Sequence, residues 1–329
     1  MYQQAFHSRE IKNLNFLVTG GAGFIGSNIV EYLLKWGAGK VRVLDNFSTG
    51  FAENISAFKA HPSFELIEGN ICHIEDCRLA VKDMHYVIHQ AALGSVPRSV
   101  KDPVSTNNTN VCGFLNVLVA SKDAGIKRIV YASSSSVYGD SQSLPKQEDH
   151  IGRPLSPYAV SKLVNELYAG VFSRTYGMEI IGLRYFNIFG PRQNPSGPYA
   201  AAIPLFMEAL LKNQDAFING DGNHTRDFTF VENAVQANIK ALFAPYSHHT
   251  EPIFNVAVGE RISIKQLYDT LKVLTGSQRE AKHRAEREGD IKDSLADIQR
   301  TEEHLGYKPE VKMREGLSIT LEWFKHNML

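Results

Sequence analysis

A doubly wound α/β chain with a parallel sheet is what three features of the sequence predict. Short apolar runs bounded by turn signals alternate with helix-length segments from residue 15 onward; three closely spaced glycines follow the first run directly; and an acidic residue ends the second run. The opening unit reads strand 15–18, helix 26–36, strand 40–44, a β–α–β order that places two parallel strands side by side. Further apolar runs at 64–68, 86–89, 128–132, 179–183 and 253–256 are spaced by helix-length segments, as expected of strands buried on both faces. From about Gly190 the rhythm changes, with Pro191, Pro195, Gly197, Pro198 and Pro204 crowding a loop-rich stretch. The expected division is therefore a nucleotide-binding unit over residues 1–189, rejoined by segments near 225–257, and a smaller, mixed α/β C-terminal unit over 190–329 that holds substrate. The charge-rich segment 277–292 reads as a solvated linker or as a source of arginines for a ligand.

Composition narrows the function classes. With 329 residues and 43% hydrophobic residues, the chain can bury a large core. Its 35 lysines and arginines balance 35 acidic residues, so no net field draws it to nucleic acid or to an anionic membrane, and an anionic ligand must be held locally. Residues 1–15 lack the apolar stretch of a secretory signal, and no run is long enough to span a bilayer, so a cytoplasmic protein is expected. The three cysteines, Cys72, Cys77 and Cys112, form no CxxC pair and accompany no histidine cluster; inert thiols are expected, and no metal site.

The glycines point to a dinucleotide. Gly20, Gly23 and Gly26, in Thr19-Gly-Gly-Ala-Gly-Phe24-Ile25-Gly26, lie between a strand and a helix, where a pyrophosphate rests on backbone N–H groups and on the positive end of the helix dipole. A tight strand-to-helix turn needs glycine for steric reasons as well, so the turn alone is weak. Asp45 strengthens it: a carboxylate at the end of the second strand hydrogen-bonds ribose hydroxyls and repels a 2′-phosphate, which favours NAD over NADP. The sheet is then of Rossmann type.

A second cluster suits proton transfer. Ser156-Pro157 opens a helix, with Ser156 as cap and Pro157 in the first turn, and Tyr158 and Lys162 fall four residues apart on one face. A lysine ammonium near a phenol, together with a positive nicotinamide, favours phenolate and lowers the tyrosine pKa, making Tyr158 a general base. Upstream, the 128–132 strand runs into Ser133-Ser-Ser-Ser136, presenting hydroxyls at the carboxyl edge of the sheet; Ser134 or Ser135 is placed to hydrogen-bond a reacting hydroxyl.

The glycine turn, Asp45, His89-Gln-Ala-Ala92, Ser133–Gly139, the Tyr158/Lys162 pair and Arg184-Tyr-Phe-Asn187 together resemble the extended short-chain dehydrogenases/reductases that act on nucleotide sugars, from about Leu14 to the C-terminus. Within that family, residues 92–99, 197–204 and 287–290 are most similar to bacterial UDP-N-acetylglucosamine/UDP-N-acetylgalactosamine 4-epimerases. The resemblance implies reversible oxidation at C4 of a UDP-hexose by tightly bound NAD, serving precursors of surface polysaccharides. Dehydratases of the family carry an Asp-Glu pair after their catalytic threonine, where this chain has Ser135-Ser136. By resemblance the cofactor set comprises Gly20, Gly23, Phe24, Ile25, Gly26, Asp45, Asn46, Ser48, Gly50, Asn70, Ile71, Gln90, Ala91, Ala92, Thr109, Tyr158, Lys162 and Tyr185. Asn70 departs from the aspartate usual there, which is expected to alter NAD binding without abolishing it. Gly94, Ser95 and Ser135 are expected beside the hexose; Asn187, Ala201, Asn219, Arg226, Arg287 and Asp290 along the nucleotide diphosphate; Ser294, small, where C2 needs room for an N-acetyl group. Arg98 leaves a 6-carboxylate open. The resemblance also implies a homodimer through helices near 104–123 and 158–174, although their apolar faces are equally suited to a core. Two competing readings are a net nucleotide-sugar oxidoreductase and a non-catalytic NAD sensor.

Overall fold

The protein is described by a computed structural model covering residues 1–195, 200–246, 252–286 and 292–327. Its main sheet contains β1 (Asn15–Thr19), β2 (Lys40–Asp45), β3 (Phe64–Glu68), β4 (Tyr86–His89), β5 (Arg128–Ser134) and β6 (Ile180–Tyr185). After the short strands β7 (Ile188–Phe189), β8 (Phe217–Asn219), β9 (Thr225–Arg226) and β10 (Thr229–Phe230), it is completed by β11 (Ile253–Val256). The order is β11-β6-β5-β4-β1-β2-β3, and every pairing is parallel. Strand order reverses between β1 and β4, and ligands of open α/β sheets bind at the carboxyl ends of strands flanking such a reversal.

Flanking helices explain why the strands are near-continuous apolar runs. The helices before the C-terminal region are α1 (Phe24–Lys35), α2 (Glu53–Ser56), α3 (Ile74–Val81), α4 (Val96–Lys101), α5 (Pro103–Asn107), α6 (Phe114–Asp123) and α7 (Pro157–Tyr176). They continue with α8 (Ala202–Leu211), α9 (Val231–Phe243), α10 (Ile264–Thr275), α11 (Gln299–Leu305) and α12 (Met313–Asn327). One face of the sheet packs Val18, Ile88 and Val130 against α1 and α9; the other packs Leu17, Val87 and Ile129 against α3, α6 and α7. A third core, with Phe206, Phe230, Tyr268 and Phe324, joins α8, α10 and α12.

Two segments differ from their sequence-based reading. The 104–123 stretch is not one helix: a π-helical turn at Asn108–Gly113 separates α5 from α6. The wider turn leaves the Asn110 carbonyl free to accept from Asn165 Nδ2 at 2.7 Å, while the Asn110 side chain clasps the backbone of Leu93. Within the 277–292 segment, Lys282–Arg284 forms a short strand parallel to β8, because its backbone completes pairing that β8 otherwise lacks. Of the thiols, Cys77 is buried, Cys72 half-buried and Cys112 exposed.

Candidate active site

The glycine turn shapes the first cavity. Gly20 is at φ +69°, and a Cβ there would meet the backbone nitrogen of Ala91 at 2.6 Å; on Gly26 it would meet the carbonyl oxygen of Gly20 at 2.2 Å. The first glycine thus permits the crossing of β1 past β4, and the third lets α1 seat against the turn. Around this turn lies a cavity of about 70 Å³, lined by Gly20 and Gly23, by Asp45, Asn46, Ser48 and Gly50 after β2, by Asn70 and Ile71 after β3, by Gln90, Ala91 and Ala92 after β4, and by Thr109 of the π turn.

Asp45 does two jobs in this corner. Its carboxylate accepts from the backbone N–H of Ala22 at 2.9 Å and of Phe47 at 2.8 Å, tying the glycine turn to the end of β2. Burial raises its pKa, opposed by these bonds. Its remaining lone pairs suit the hydroxyl donors of a ribose. The Asn70 side-chain oxygen accepts from Cys72 N–H at 3.0 Å, so it too is partly engaged. Close backbone approach, a helix N-terminus without a side-chain cap and a carboxylate at the strand end fit an adenine dinucleotide. Phe24, Ile25 and Gly26 belong to the first turn of α1 behind this lining. Tyr185 stands behind Gln90: its hydroxyl donates to Gln90 Oε1 at 3.2 Å and accepts from Asn238 Nδ2 at 2.7 Å, and burial pushes its pKa up to about 12.

The proton-transfer cluster forms where β5 meets α7. Ser156 caps α7, its Oγ accepting from Ala159 N–H at 3.1 Å with Pro157 in the first turn, and this sets the azimuth of Tyr158 and Lys162. Ser134 ends β5, accepts from Ser136 N–H at 3.1 Å and hydrogen-bonds Tyr158. Ser135 begins the 3-10 turn that follows. Lys162, 3% exposed, donates from Nζ to the Ala132 carbonyl at 2.8 Å and lies 5.9 Å from the centre of the Tyr158 ring. Burial drives Lys162 down to about 8, while Glu166 pulls it back up. Tyr158 shifts upward, because desolvation of the phenolate outweighs the Ser134 bond.

Beneath this cluster is an ion pair that the sequence did not reveal. Glu166 accepts from Arg184 Nε at 2.9 Å, from Arg184 Nη2 at 2.8 Å and from Ser133 Oγ at 2.5 Å, coupling α7, β6 and the serine run. His89, buried at the end of β4 and bonded to Thr19 Oγ1 at 2.8 Å, is pushed down to about 3 by burial and by Lys162, so it stays neutral.

A second cavity, about 470 Å³, opens between α8, β8 and β9. Asn187, Ala201, Asn219 and Arg226 line it together. Arg226 Nη1 donates to the carbonyls of Thr225 and Lys292 at 2.8 and 3.2 Å, which orients its guanidinium. The lining also contains Phe217 and Arg284, which sequence reasoning did not single out; Arg284 Nε donates to Asn219 Oδ1 at 2.6 Å. The signal for Arg284 lay in the charge-rich segment suspected of serving a ligand. Ser294 sits beside this region, its N–H bonded to the Thr225 carbonyl at 3.1 Å, but does not line the cavity. Gly94 and Ser95 do not line it either; Ser95 caps α4 by accepting from Arg98 N–H at 3.3 Å. Arg287 and Asp290, with residues 197–199, lie outside the described residues.

Comparison with known proteins follows the same outline. A UDP-glucose 4-epimerase of Mycolicibacterium smegmatis is 36% identical over 312 residues, spanning 94% of this chain and 98% of that protein. A UDP-N-acetylglucosamine 4-epimerase from Methanobrevibacter ruminantium, solved with UDP-N-acetylmuramic acid, superposes with a TM-score of 0.91 at 40% identity, covering 96% of this chain and 100% of that one. A UDP-glucuronic acid 4-epimerase from Bacillus cereus, solved with UDP-glucuronic acid and NAD, gives a TM-score of 0.88 at 30% identity, covering 95% and 99%. The family model for NAD-dependent epimerases and dehydratases matches residues 16–257, and the chain belongs to that family.

Proposed function

We propose that this chain catalyses reversible C4 epimerisation of a UDP-hexose, with UDP-N-acetylglucosamine and UDP-N-acetylgalactosamine as the substrate pair and the uronic acid form as the variant to test. The observation that carries the reading is the Ser134–Tyr158–Lys162 cluster followed by Ser135-Ser136, with hydroxyls where elimination would need a carboxylate. NAD is the family's cofactor; when bound it supplies a reversible two-electron acceptor at the sugar's C4. Tyr158 accepts the proton of the C4 hydroxyl and Ser134 hydrogen-bonds the same oxygen as C4 gives up a hydride to the bound cofactor; after the 4-ketone presents its other face, the hydride returns to C4 and Tyr158 returns the proton to O4. Lys162 favours the phenolate through its charge. A sugar that must turn is held best through its nucleotide, and the 470 Å³ cavity, with Asn187, Asn219, Arg226 and Arg284, is suited to a uridine diphosphate. The small Ser294 beside Thr225, where the family resemblance expects room at C2, is the ground for preferring the N-acetyl sugar over glucose.

A homodimer belongs to the same proposal. Val160, Leu167 and Val171 form an exposed apolar stripe on α7, next to the exposed Val100 of α4 and Val104 of α5. Helices with that spacing bury their stripe against a symmetry mate.

The test is to incubate the purified protein, without added NAD, with UDP-N-acetylglucosamine, UDP-glucose and UDP-N-acetylglucosaminuronic acid separately, and to follow each by proton NMR. The 4-epimer is expected without net NADH, fastest for UDP-N-acetylglucosamine. Stoichiometric NADH with added NAD would point to a net oxidoreductase; no change in any sugar overturns the reading.

A further inference from the structure

Residues 1–15 precede the family match, yet three of their side chains, Tyr2, Phe6 and Ile11, are buried in the molecule. Tyr2 is fully buried at φ +60°, in the left-handed region that side chains rarely adopt, so its contacts must hold it there. Its N–H donates to Glu232 Oε1 at 2.6 Å, at the start of α9. Phe6 stacks on Tyr32 of α1 at 5.1 Å between ring centres, and its N–H donates to the Tyr32 hydroxyl at 2.7 Å. Met1 packs against both the sheet core and the C-terminal core.

The Tyr2 hydroxyl reaches further than packing requires. It donates to Asn28 Oδ1 at 2.9 Å, and Asn28 Nδ2 donates in turn to the carbonyls of Phe24 at 2.9 Å and Pro191 at 3.1 Å. Asn28 is completely buried, so the Tyr2 donor fixes which way its amide faces: a flipped amide would set oxygen against the two carbonyls. One helical turn on, Glu31 pairs with Arg192 at 2.5 Å. α1 therefore grips residues 191–192, and the chain then enters Gln193, which lines the 470 Å³ cavity along with residues 187–189 on the other side of the turn.

We infer that Tyr2 is a positioning residue for the nucleotide-sugar cavity: through Asn28 its hydroxyl sets the 190–193 turn that forms one wall, so the opening segment governs nucleotide affinity and leaves the proton-transfer step alone. The inference rests on the sugar-nucleotide reading of that cavity. Its test uses the full chain and titrates UDP calorimetrically, so it does not depend on turnover. For Tyr2→Phe the UDP Kd, and the KM for whichever UDP-sugar is turned over, rise roughly tenfold, as expected when a buried acceptor loses its donor. kcat stays within about twofold and bound NAD, released by denaturation, is unchanged. Asn28→Asp, which puts an oxygen against the Pro191 carbonyl, gives at least the same weakening. Phe6→Leu, which loosens the segment without touching the Tyr2–Asn28 bond, leaves UDP affinity at the wild-type value. Unchanged UDP affinity in Tyr2→Phe overturns the inference, as does equal weakening in Phe6→Leu with a matching drop in melting temperature. A wild-type chain that binds UDP but inverts no sugar sinks the epimerase reading alone; one that does not bind UDP sinks both.

Discussion

Burial acts in the same electrostatic sense on Tyr158 and Lys162, disfavouring the charged form of each, whereas the proposed proton transfer calls for both charges. The lysine, held near 8, carries its proton only below that pH, so it can support a phenolate only there. The pH profile of turnover is therefore expected to fall as pH rises past about 8, and a Lys162→Met variant should keep a low residual rate without that limb. The same depressed pKa has a stability consequence of definite sign. The folded state disfavours the protonated lysine, so stability rises as pH climbs from the folded value of about 8 toward the ordinary lysine value of 10.5, and the gain is absent at lower pH; unfolding midpoints across that window check it. Tyr158→Phe removes the proton acceptor and should lower the rate by ~10²–10⁴-fold with NAD still bound, read by proton NMR and by NAD release on denaturation. An unchanged rate would mean that another group takes the proton.

Elements enter the site by their ends, and two of them are pinned from below. The Glu166–Arg184 pair, almost fully buried, joins α7 to β6 and holds Ser133, next to Ser134. Glu166→Gln removes the carboxylate bonded to Arg184, and a loss of ~3–5 kcal/mol is expected in urea unfolding, since the cost is that of a buried charge losing its bonded partner. At the other end, Gly26→Ala drives a methyl into the Gly20 carbonyl and must push α1 away from β1. Purified Gly26→Ala is expected to carry little NAD while still titrating UDP. Full NAD occupancy would show that α1 can shift without cost to the cofactor cavity.

At the scale of the molecule, the carboxyl edge of one sheet holds the cavity around the glycine turn and the serine–tyrosine cluster, and the C-terminal core adds a larger cavity. The exposed stripe on α7 predicts that Leu167→Glu shifts the protein from dimer to monomer in analytical ultracentrifugation; a monomeric wild type would remove that proposal. Much of this organisation was legible along the chain, because its determinants are local. The parallel strands appear as apolar runs, the turn as Gly20, Gly23 and Gly26, the strand-end carboxylate as Asp45, and the Tyr158 helix as a capped i,i+4 pair, all decided by periodicity and turn chemistry within a few residues. The rest joins distant segments and leaves no local trace. Arg284 meets Asn219 across 65 positions, Asn110 meets Leu93 through a π turn that interrupts a helical pattern, and Tyr2 meets Pro191 through Asn28, with 163 positions between the last two. The downward shift of Lys162 belongs to the same group, since it comes from how deeply α7 lies against β5, and only the packed molecule sets that depth.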